Sequence, residues 1–421
     1  MTRICPFRAL RYDPARVDFS RVIAPPYDVI AAEERALLYD RDPYNAIRLE
    51  LTRDVADEAG TDYAEIRETL ASWRKDGVLL RDDAPALYAI RQGFTTSDGQ
   101  RHERESFFAL LHLEDYARRI VRPHERTLAG PKADRLKVLR AARANLSPVF
   151  LLYEDREQSL APRLRAAAHE PLAVAREGSG ATHELARIDD PAAVRAAEVF
   201  LAERPVVIAD GHHRYETALA YRDERRVAGD AAPDAPHEWI LACFANAFAP
   251  GTLLLPIHRL VCKGGAPTPA AWSERLPGWT VREVALGDPS QIDALLAREL
   301  APLAGRHAFA VDDASGSLRI FSRPASGDEL TVRVLHRDVI EGVFGLDEAA
   351  VRDGAIAYPK SAAQTARDLR AGRGVVALYL NPLRPDDVFR VTAAGEVLPQ
   401  KSTFFTPKLP TGVVFRTLDE T

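Results

Sequence analysis

The stretch VVIADGHHRYET, residues 206–217, constrains the fold more than any other part of this sequence. Val206, Val207 and Ile208 form a β-branched apolar run, which is typical of a buried strand. Gly211 then lets the backbone turn without a steric penalty. From about His213 onward the residues follow the three- and four-residue spacing of a helix. The pattern therefore predicts a strand, a tight turn and a helix.

The predicted turn concentrates groups that suit an anion. It contains, in order, Asp210, Gly211, His212, His213 and Arg214. A helix start presents unpaired N–H groups and the positive end of its dipole, so the segment predicts a phosphate-binding loop. In one alternative these are cap and surface residues, with the aspartate only capping the helix. In another, Glu216 joins the aspartate and the histidines in a metal site, although adjacent histidines rarely reach one ion.

The length and charge of the chain limit its class. A chain of 421 residues exceeds the usual single core, so we expect two portions. The first portion, residues 1–230, carries the HERT and DGHHR motifs. The second portion, residues 231–421, is an α/β portion that we expect to pack back on the cleft containing those motifs. A net charge of −5 gives no general reason for binding nucleic acid or a membrane surface.

Cysteine usage and the N-terminus bear on the compartment. Cys5, Cys243 and Cys262 are odd in number and widely separated, which argues against a disulfide framework and a zinc site. The N-terminal MTRICPFRAL lacks a long apolar region, so we expect a cytoplasmic protein. No membrane partner is expected, and a homo-oligomer is compatible with the sequence.

Two stretches near the N-terminus are candidates for substrate binding. In VIAPPYDVI, two prolines stiffen the backbone before Tyr27 and Asp28, which predicts a binding loop or a rigid connector. In DPYNAIRLEL, apolar residues alternate from Ile47 to Leu51, which predicts a half-buried strand. Asn45 lies at the start of that strand and is the third candidate.

A second polar loop precedes a helix in RPHERTLAGPKADRL. It places a base, an acid, a cation and a hydroxyl in succession, namely His124, Glu125, Arg126 and Thr127. Such a tetrapeptide is usually solvated surface, but here it lies between a predicted strand and a helix with Pro131 in its first turn. That rigid setting also suits a binding site.

The C-terminal QKSTFFTPK combines Lys401, Ser402, Thr403 and Lys408 with two phenylalanines. Basic residues in this chain are mostly arginine, and the few lysines include Lys360 as well as these two. A retained lysine supplies a compact ammonium group, so the stretch predicts an anion-binding surface that lines the cleft. An exposed tail is the alternative.

Several motifs together resemble one family. APPYDVI, PYNAIRLEL, RPHERT, IADGHHRYETAL, LPIHR, YPKSA and LPQKSTFFTPKL are similar to the family of domain of unknown function 1015. IADGHHR and RPHERT also resemble, more weakly, the phosphate loop and the catalytic PHE segment of free-serine kinases in the ParB/sulfiredoxin superfamily. The resemblance implies an α+β (mixed α/β) fold, with a ParB/sulfiredoxin-like core and a large second α/β portion.

The resemblance also implies a function. It indicates a nucleotide-dependent phosphotransferase acting on a small hydroxyl-bearing metabolite, with Glu125 as the base and His212 and His213 beside it. Asp210 would hold Mg²⁺, and the nucleotide is ATP, ADP or CTP. A nucleotide-binding switch of the ParB type and a metal-dependent hydrolase remain alternatives. The spacing of about eighty residues between the two loops leaves the acceptor open.

Overall fold

The computed structural model describes residues 1–54, 60–61, 63–125, 129–325, 327–399 and 401–418, with the side chains of residues 129–131 left aside. No helix in these ranges is both long and apolar enough to cross a bilayer. Helices and strands alternate along the chain, and the predicted α+β, mixed α/β fold class is confirmed.

The strands are short to medium in length. They are β1 (Ile4–Cys5), β2 (Leu10–Tyr12), β3 (Leu79–Arg81), β4 (Leu87–Thr95), β5 (Arg101–His112), β6 (Val121–Arg122), β7 (Ala144–Asn145), β8 (Val149–Tyr153), β9 (Ala173–Arg176), β10 (Thr182–Ile188), β11 (Val206–Asp210), β12 (Trp239–Asn246), β13 (Leu253–Leu255), β14 (Arg259–Val261), β15 (Thr280–Ala285), β16 (Arg306–Asp312), β17 (Ser317–Pro324), β18 (Ile356–Ala357), β19 (Val376–Leu380), β20 (Phe404–Thr406) and β21 (Arg416–Thr417).

The helices cover the faces of the sheets. They are α1 (Phe19–Val22), α2 (Ala32–Arg41), α3 (Ile47–Glu50), α4 (Ala64–Lys75), α5 (Ala129–Ala142), α6 (Ala161–Ala167), α7 (Pro191–Ala202), α8 (His212–Val227), α9 (Pro269–Arg275), α10 (Ile292–Glu299), α11 (Thr331–Val334), α12 (Glu348–Ala350), α13 (Ala362–Arg370) and α14 (Pro385–Ala393).

The larger sheet has the order β6-β11-β8-β12-β5-β4-β10-β9, and β1 also pairs with β5. Most of its neighbours are antiparallel, but β6 runs parallel to β11 and β8 runs parallel to β12. Both faces of this sheet are buried. Alternate residues of a strand point to opposite sides, so one strand contributes to two cores. Phe108 and Leu110 of β5 enter one core, and Phe107, Ala109 and Leu111 enter the other.

A second, antiparallel sheet has the order β15-β17-β16-β19-β14-β18. Its strands begin at Arg259, whereas β12 up to Asn246 is a central strand of the larger sheet. The change from one sheet to the other therefore lies between residues 246 and 259. The division into two portions at residue 230 stays a prediction.

The C-terminal segment returns to the first part of the chain. β20 pairs with β13, β21 pairs with β7, and the backbone of Phe415 bridges to Leu10. Phe405 and Phe415 are buried in the same core as Phe108. The segment is thus part of the N-terminal core, and the alternative of an exposed tail is wrong for the part of QKSTFFTPK in β20.

The predicted strand over Ile47 to Leu51 is wrong, since Ile47–Glu50 forms the short helix α3. The Asn45 side-chain oxygen accepts a hydrogen bond from the backbone N–H of Ile47 at 3.0 Å, which starts this turn of helix. Glu50, which would lie on the polar face of a half-buried strand, is only 5% exposed. Alternation over a few residues cannot separate a strand from a short helix.

Candidate functional site

Two neighbouring parallel strands bring the two polar loops together. β11 ends at Asp210, and its partner β6 ends at Arg122, just before His124. The carboxyl ends of parallel strands lie at the same edge of a sheet, so the loops that follow them meet. Gly211 turns the chain at φ +88°, a conformation that favours glycine, and α8 begins at His212. Among the described residues no side chain caps this helix start.

Hydrogen bonds fix the proton positions on two histidines whose rings meet edge to face. The His124 backbone N–H donates to Nε2 of His212 at 3.2 Å. A neutral imidazole carries one N–H, so His212 holds its proton on Nδ1. His124 in turn donates from Nδ1 to the carbonyl of Ile208, and its Nε2 accepts from the Thr403 hydroxyl at 2.9 Å. Burial, and then repulsion from His212, lower the pKa of His124 to about 4, so this ring is neutral at physiological pH.

Glu125 is the carboxylate that faces solvent at this site. Nδ1 of His212 lies 3.3 Å from its Oε1, and the Glu125 side chain is 39% exposed whereas His212 is 2% exposed. Burial alone would raise the pKa of Glu125, but the hydrogen bond from His212 and the nearby imidazoles hold it below its usual range. Glu125 is therefore an ionised, oriented carboxylate that a bound molecule can reach.

Asp210 lies between two cations. Lys408 Nζ is 3.2 Å from its Oδ2, and Arg214 is 3.6 Å from the same oxygen. Burial pushes the pKa of Asp210 upward, but attraction from Lys408 and Arg214 outweighs it and holds the pKa below the usual value. Arg214 also donates to the carbonyl of Pro148 and lies under Gly211, where a Cβ atom would come within 3.0 Å of its Nε. Arg214 thus supports the turn from inside.

Lysines crowd the other side of the site. Lys360 Nζ lies 4.4 Å from the centre of the Phe404 ring, and Lys408 Nζ lies 6.0 Å from it. Burial, together with repulsion from Lys408 and Lys401, lowers the pKa of Lys360. Mutual repulsion of this kind is relieved when an anion binds.

A buried arginine holds the segment that carries these groups. Arg104 is 0% exposed and donates to the carbonyls of Thr406 at 3.4 Å and Pro407 at 2.6 Å. Its guanidinium also donates to Gln92 and lies 4.6 Å from the ring centre of Phe150. Within the described residues no carboxylate forms an ion pair with it. Arg104 therefore holds the backbone just before Lys408 and so helps to place Lys408 beside Asp210.

The three N-terminal candidates, Tyr27, Asp28 and Asn45, differ in their surroundings. Asp28 is exposed and acts electrostatically on His213 and Lys360, which places it beside the site. Tyr27 is half-buried under the guanidinium of Arg135, whose Cζ lies 4.2 Å from the ring centre.

Asn45 is turned into the protein, and its position gives no support to its predicted role in substrate binding. Its side chain is fully buried and donates to the carbonyl of Arg21 at 2.6 Å. Because its oxygen accepts from the N–H of Ile47, both ends of the amide are used inside the protein.

The remaining candidates have mixed positions. Arg126 and Thr127 lie outside the described residues. Ser402 is 8% exposed and donates to the carbonyl of Pro399 at 2.6 Å, so its hydroxyl hydrogen is used inside the protein. Lys401 is exposed and has φ +56°. His213 is half-buried, and burial lowers its pKa despite the nearby carboxylates of Glu125 and Glu216.

No group of three or more metal-ligating side chains occurs in the described part of the chain. Asp210, the candidate for Mg²⁺, has an oxygen already paired with Lys408 and Arg214. The residues present therefore do not fit a direct magnesium site at this carboxylate. The site instead combines a helix start without a side-chain cap, clustered lysines and one ionised carboxylate, which suits an anion held beside a proton acceptor.

Two contributors were missed among the candidate residues, Lys360 and Arg104. The scarcity of lysine in an arginine-rich chain was a usable signal for Lys360. Arg104 carried no such signal, because it lies in a β-strand remote in sequence from the segment it holds.

Comparison with known proteins gave structural matches and one family. A free serine kinase in complex with AMP is 13% identical, with 71% of this chain and 87% of that chain covered and a TM-score of 0.36. A conserved hypothetical protein from Pyrococcus furiosus is 14% identical, covering 74% and 96%, with a TM-score of 0.35. SbnI with a C-terminal truncation from Staphylococcus aureus is 12% identical, covering 72% and 86%, with a TM-score of 0.34. The comparison with curated proteins gave no match.

The family match covers most of the chain. The family described as protein of unknown function (DUF1015) matches residues 4–311, which include β6, β11 and the start of α8. The chain therefore belongs to the DUF1015 family.

Proposed function

We propose that this protein is a nucleotide-dependent phosphotransferase that acts on a small hydroxyl-bearing metabolite. One observation carries the proposal: an ionised, solvent-facing Glu125 lies at the uncapped start of α8, in a site whose other side is crowded with lysines. Phosphoryl transfer depends mainly on positioning and on charge stabilisation, and these are the two properties that the site combines.

The phosphates would bind at the start of α8. The amides that follow Gly211 have no side-chain cap, and the helix dipole favours negative charge there. Lys408 and Lys360 flank Phe404 on the other side, with Lys401 near enough to lower the pKa of Lys360. An anion between the amides and the lysines would satisfy both at once.

Glu125 would accept the proton of the acceptor hydroxyl. Its lowered pKa makes it a weak base in the ground state, but the hydroxyl becomes acidic as its oxygen bonds to phosphorus, so an ionised carboxylate in place suffices. His212 would act through Glu125, since its Nδ1–H orients the carboxylate. Tyr27 and Asp28 are the candidates for contacting the acceptor.

ATP, ADP and CTP remain the candidate nucleotides. Mg²⁺ commonly accompanies nucleotide phosphates and neutralises their charge. In this site the lysines would supply part of that neutralisation. Asp210 is less available to Mg²⁺, because its Oδ2 is paired with Lys408.

The experiment is a transfer assay with each nucleotide and a panel of hydroxyl-bearing metabolites. Glu125→Gln keeps the shape of the side chain, so we expect nearly unchanged nucleotide affinity by calorimetry and turnover reduced by roughly a hundredfold or more. Glu177→Gln is a matched control, because Glu177 forms a similar pair with buried His183 at 2.7 Å.

The outcomes separate the alternatives. Acceptor-dependent turnover that Glu125→Gln removes and Glu177→Gln retains supports the proposal. Nucleotide binding without transfer to any acceptor would favour a switch protein. Hydrolysis of a metabolite without nucleotide would contradict the proposal outright.

A further inference from the structure

A cavity of about 210 Å³ lies in the C-terminal part, away from the start of α8. It is bounded by the start of β16, the end of β19, the segment 327–332 and the start of α14. Arg259, Arg306, His307 and Ser402 are among the residues that line it. The family motif LPIHR ends in Arg259, and the proposed function does not use it.

Arg259 is a buried cation without a carboxylate partner among the described residues. It is 1% exposed and donates only to carbonyls, those of Ile257 and of Lys401, the latter at 3.2 Å. Its Nε is buried and has no hydrogen-bond partner. Burial lowers the pKa of Arg259 to about 10, which leaves it protonated at neutral pH. The ring centre of Tyr358 lies 5.4 Å from its Cζ and compensates this charge only in part. A buried charge without a carboxylate partner is costly and favours an anion beside it.

His307 adds a second unsatisfied group to the same wall. It is 1% exposed, its Nδ1 lies 3.3 Å from the Thr331 hydroxyl, and its Nε2 is buried without a partner. Burial, and then repulsion from Arg323, lower its pKa, so the ring is a neutral hydrogen-bonding group. Arg306 is half-buried at the start of β16 and forms no ion pair with any residue that the structure describes.

The carboxylates around the cavity are already paired. Asp387 lies 3.2 Å from Arg384 and 3.3 Å from Arg390, and Glu329 pairs with Arg337. Asp328, the third carboxylate of the lining, is 86% exposed and lies 3.9 Å from Arg390. The positive charges of Arg259 and Arg306 are therefore left without a counter-ion inside the cavity.

We propose that this cavity binds a small anion, a carboxylate or a phosphate ester no larger than an amino acid, and that the anion regulates the site at α8. Its volume is below the range of about 300–1,000 Å³ typical of sites for larger ligands, which argues against a whole nucleotide. Arg259 and Arg306 would supply the charge, and His307 a hydrogen bond.

The coupling follows from one short stretch of chain. Arg259 donates to the carbonyl of Lys401, Ser402 lines the cavity, and Thr403 donates to His124 in the other site. An anion that draws the guanidinium of Arg259 toward itself changes the contact with Lys401 and so shifts residues 401–403. Binding in the cavity is thus linked to the placement of the lysines.

The test uses two probes, inorganic phosphate and lactate, on the full chain. Phosphate also suits the site at α8, so the titrations are made in a Lys408→Met background, with melting temperature and calorimetry as readouts. We expect at least one probe to bind, and Arg259→Gln to weaken that binding by roughly tenfold or more. The probe that binds better distinguishes a phosphate ester from a carboxylate.

Arg306→Gln tests the same claim without removing a fully buried group, and Arg319→Gln is the control. Arg319 is a buried arginine of the same sheet that pairs with Asp313 away from the cavity. We expect weaker binding in Arg306→Gln and unchanged binding in Arg319→Gln. Failure of both probes to bind, or equal binding in all variants, would overturn the anion site.

Hydrogen exchange tests the coupling. With saturating probe, exchange of the amides of residues 401–406 should change in the protein with Arg259 intact and stay constant in Arg259→Gln. Binding without any such change would refute the regulatory link.

Discussion

Replacing Lys408 by methionine tests the proposed anion site, because it removes the contact between Lys408 and Asp210. The substitution keeps most of the aliphatic stem and removes the ammonium group that lies 3.2 Å from Asp210. A hydrogen bond to a charged group contributes about 1.5–3 kcal/mol, and about 1.4 kcal/mol is a tenfold change in affinity. We therefore expect nucleotide affinity to fall by roughly 10- to 100-fold.

The same substitution should also reduce stability. Lys408 and Asp210 are 24% and 16% exposed, so their pairing is partly protected from solvent. Its loss leaves Asp210 facing Arg214 alone, at 3.6 Å. Relief of the repulsion on Lys360 offsets part of this loss. The net decrease in the free energy of unfolding should be about 1–2 kcal/mol.

Lys263→Met is the matched control for this prediction. Lys263 also pairs with a carboxylate, that of Asp353 at 2.7 Å, but the two side chains are 54% and 81% exposed. Exposed pairs contribute little, so stability and nucleotide affinity should both stay close to those of the parent. The measurements are calorimetric titration and urea unfolding. Equal nucleotide affinity in Lys408→Met and Lys263→Met would refute the reasoning.

Three further predictions concern the supports of the site. Arg104→Gln removes the donors that hold the turn after β20, and amides of residues 404–408 should exchange with solvent faster; unchanged exchange would contradict that role. Arg214→Ala removes a mostly buried guanidinium under the turn. It should lower the free energy of unfolding by about 1–3 kcal/mol and should also lower nucleotide affinity. Lost binding at unchanged stability would mean that this group contacts only the ligand. Neutral His124 has a pKa lowered from 6.5 to about 4, so the stability it contributes is fully present above pH 6.5 and is lost as the pH falls toward 4. Urea unfolding between pH 6.5 and about 4 should show a smaller loss of unfolding free energy in His124→Asn than in the parent. His169→Asn, which changes an exposed histidine, should behave like the parent.

The sequence was most informative where structure depends on local pattern. The apolar run before Asp210, the glycine after it and the helical spacing beyond are read from a dozen residues, and β11, Gly211 and α8 agree with them. The helix cap at Ser361 was predictable for the same reason, since its hydroxyl accepts from the N–H of Gln364 at 3.2 Å.

Long-range pairing limited the rest. That β6 lies beside β11, and so brings Glu125 to His212, depends on sheet order, which the sequence pattern does not encode. The roles of Lys360 and Arg104 likewise depend on contacts between remote segments. α3 was mistaken for a strand because a helix of four residues is too short for its period to be told from that of a strand.

The most direct test of the central claim is hydrogen exchange of the protein with and without each of ATP, ADP and CTP. If phosphates bind at the uncapped start of α8, one of these nucleotides should slow exchange at the amides of residues 211–214 and in the segment 401–408. Protection confined to other parts of the chain, or none with any nucleotide, would contradict the account.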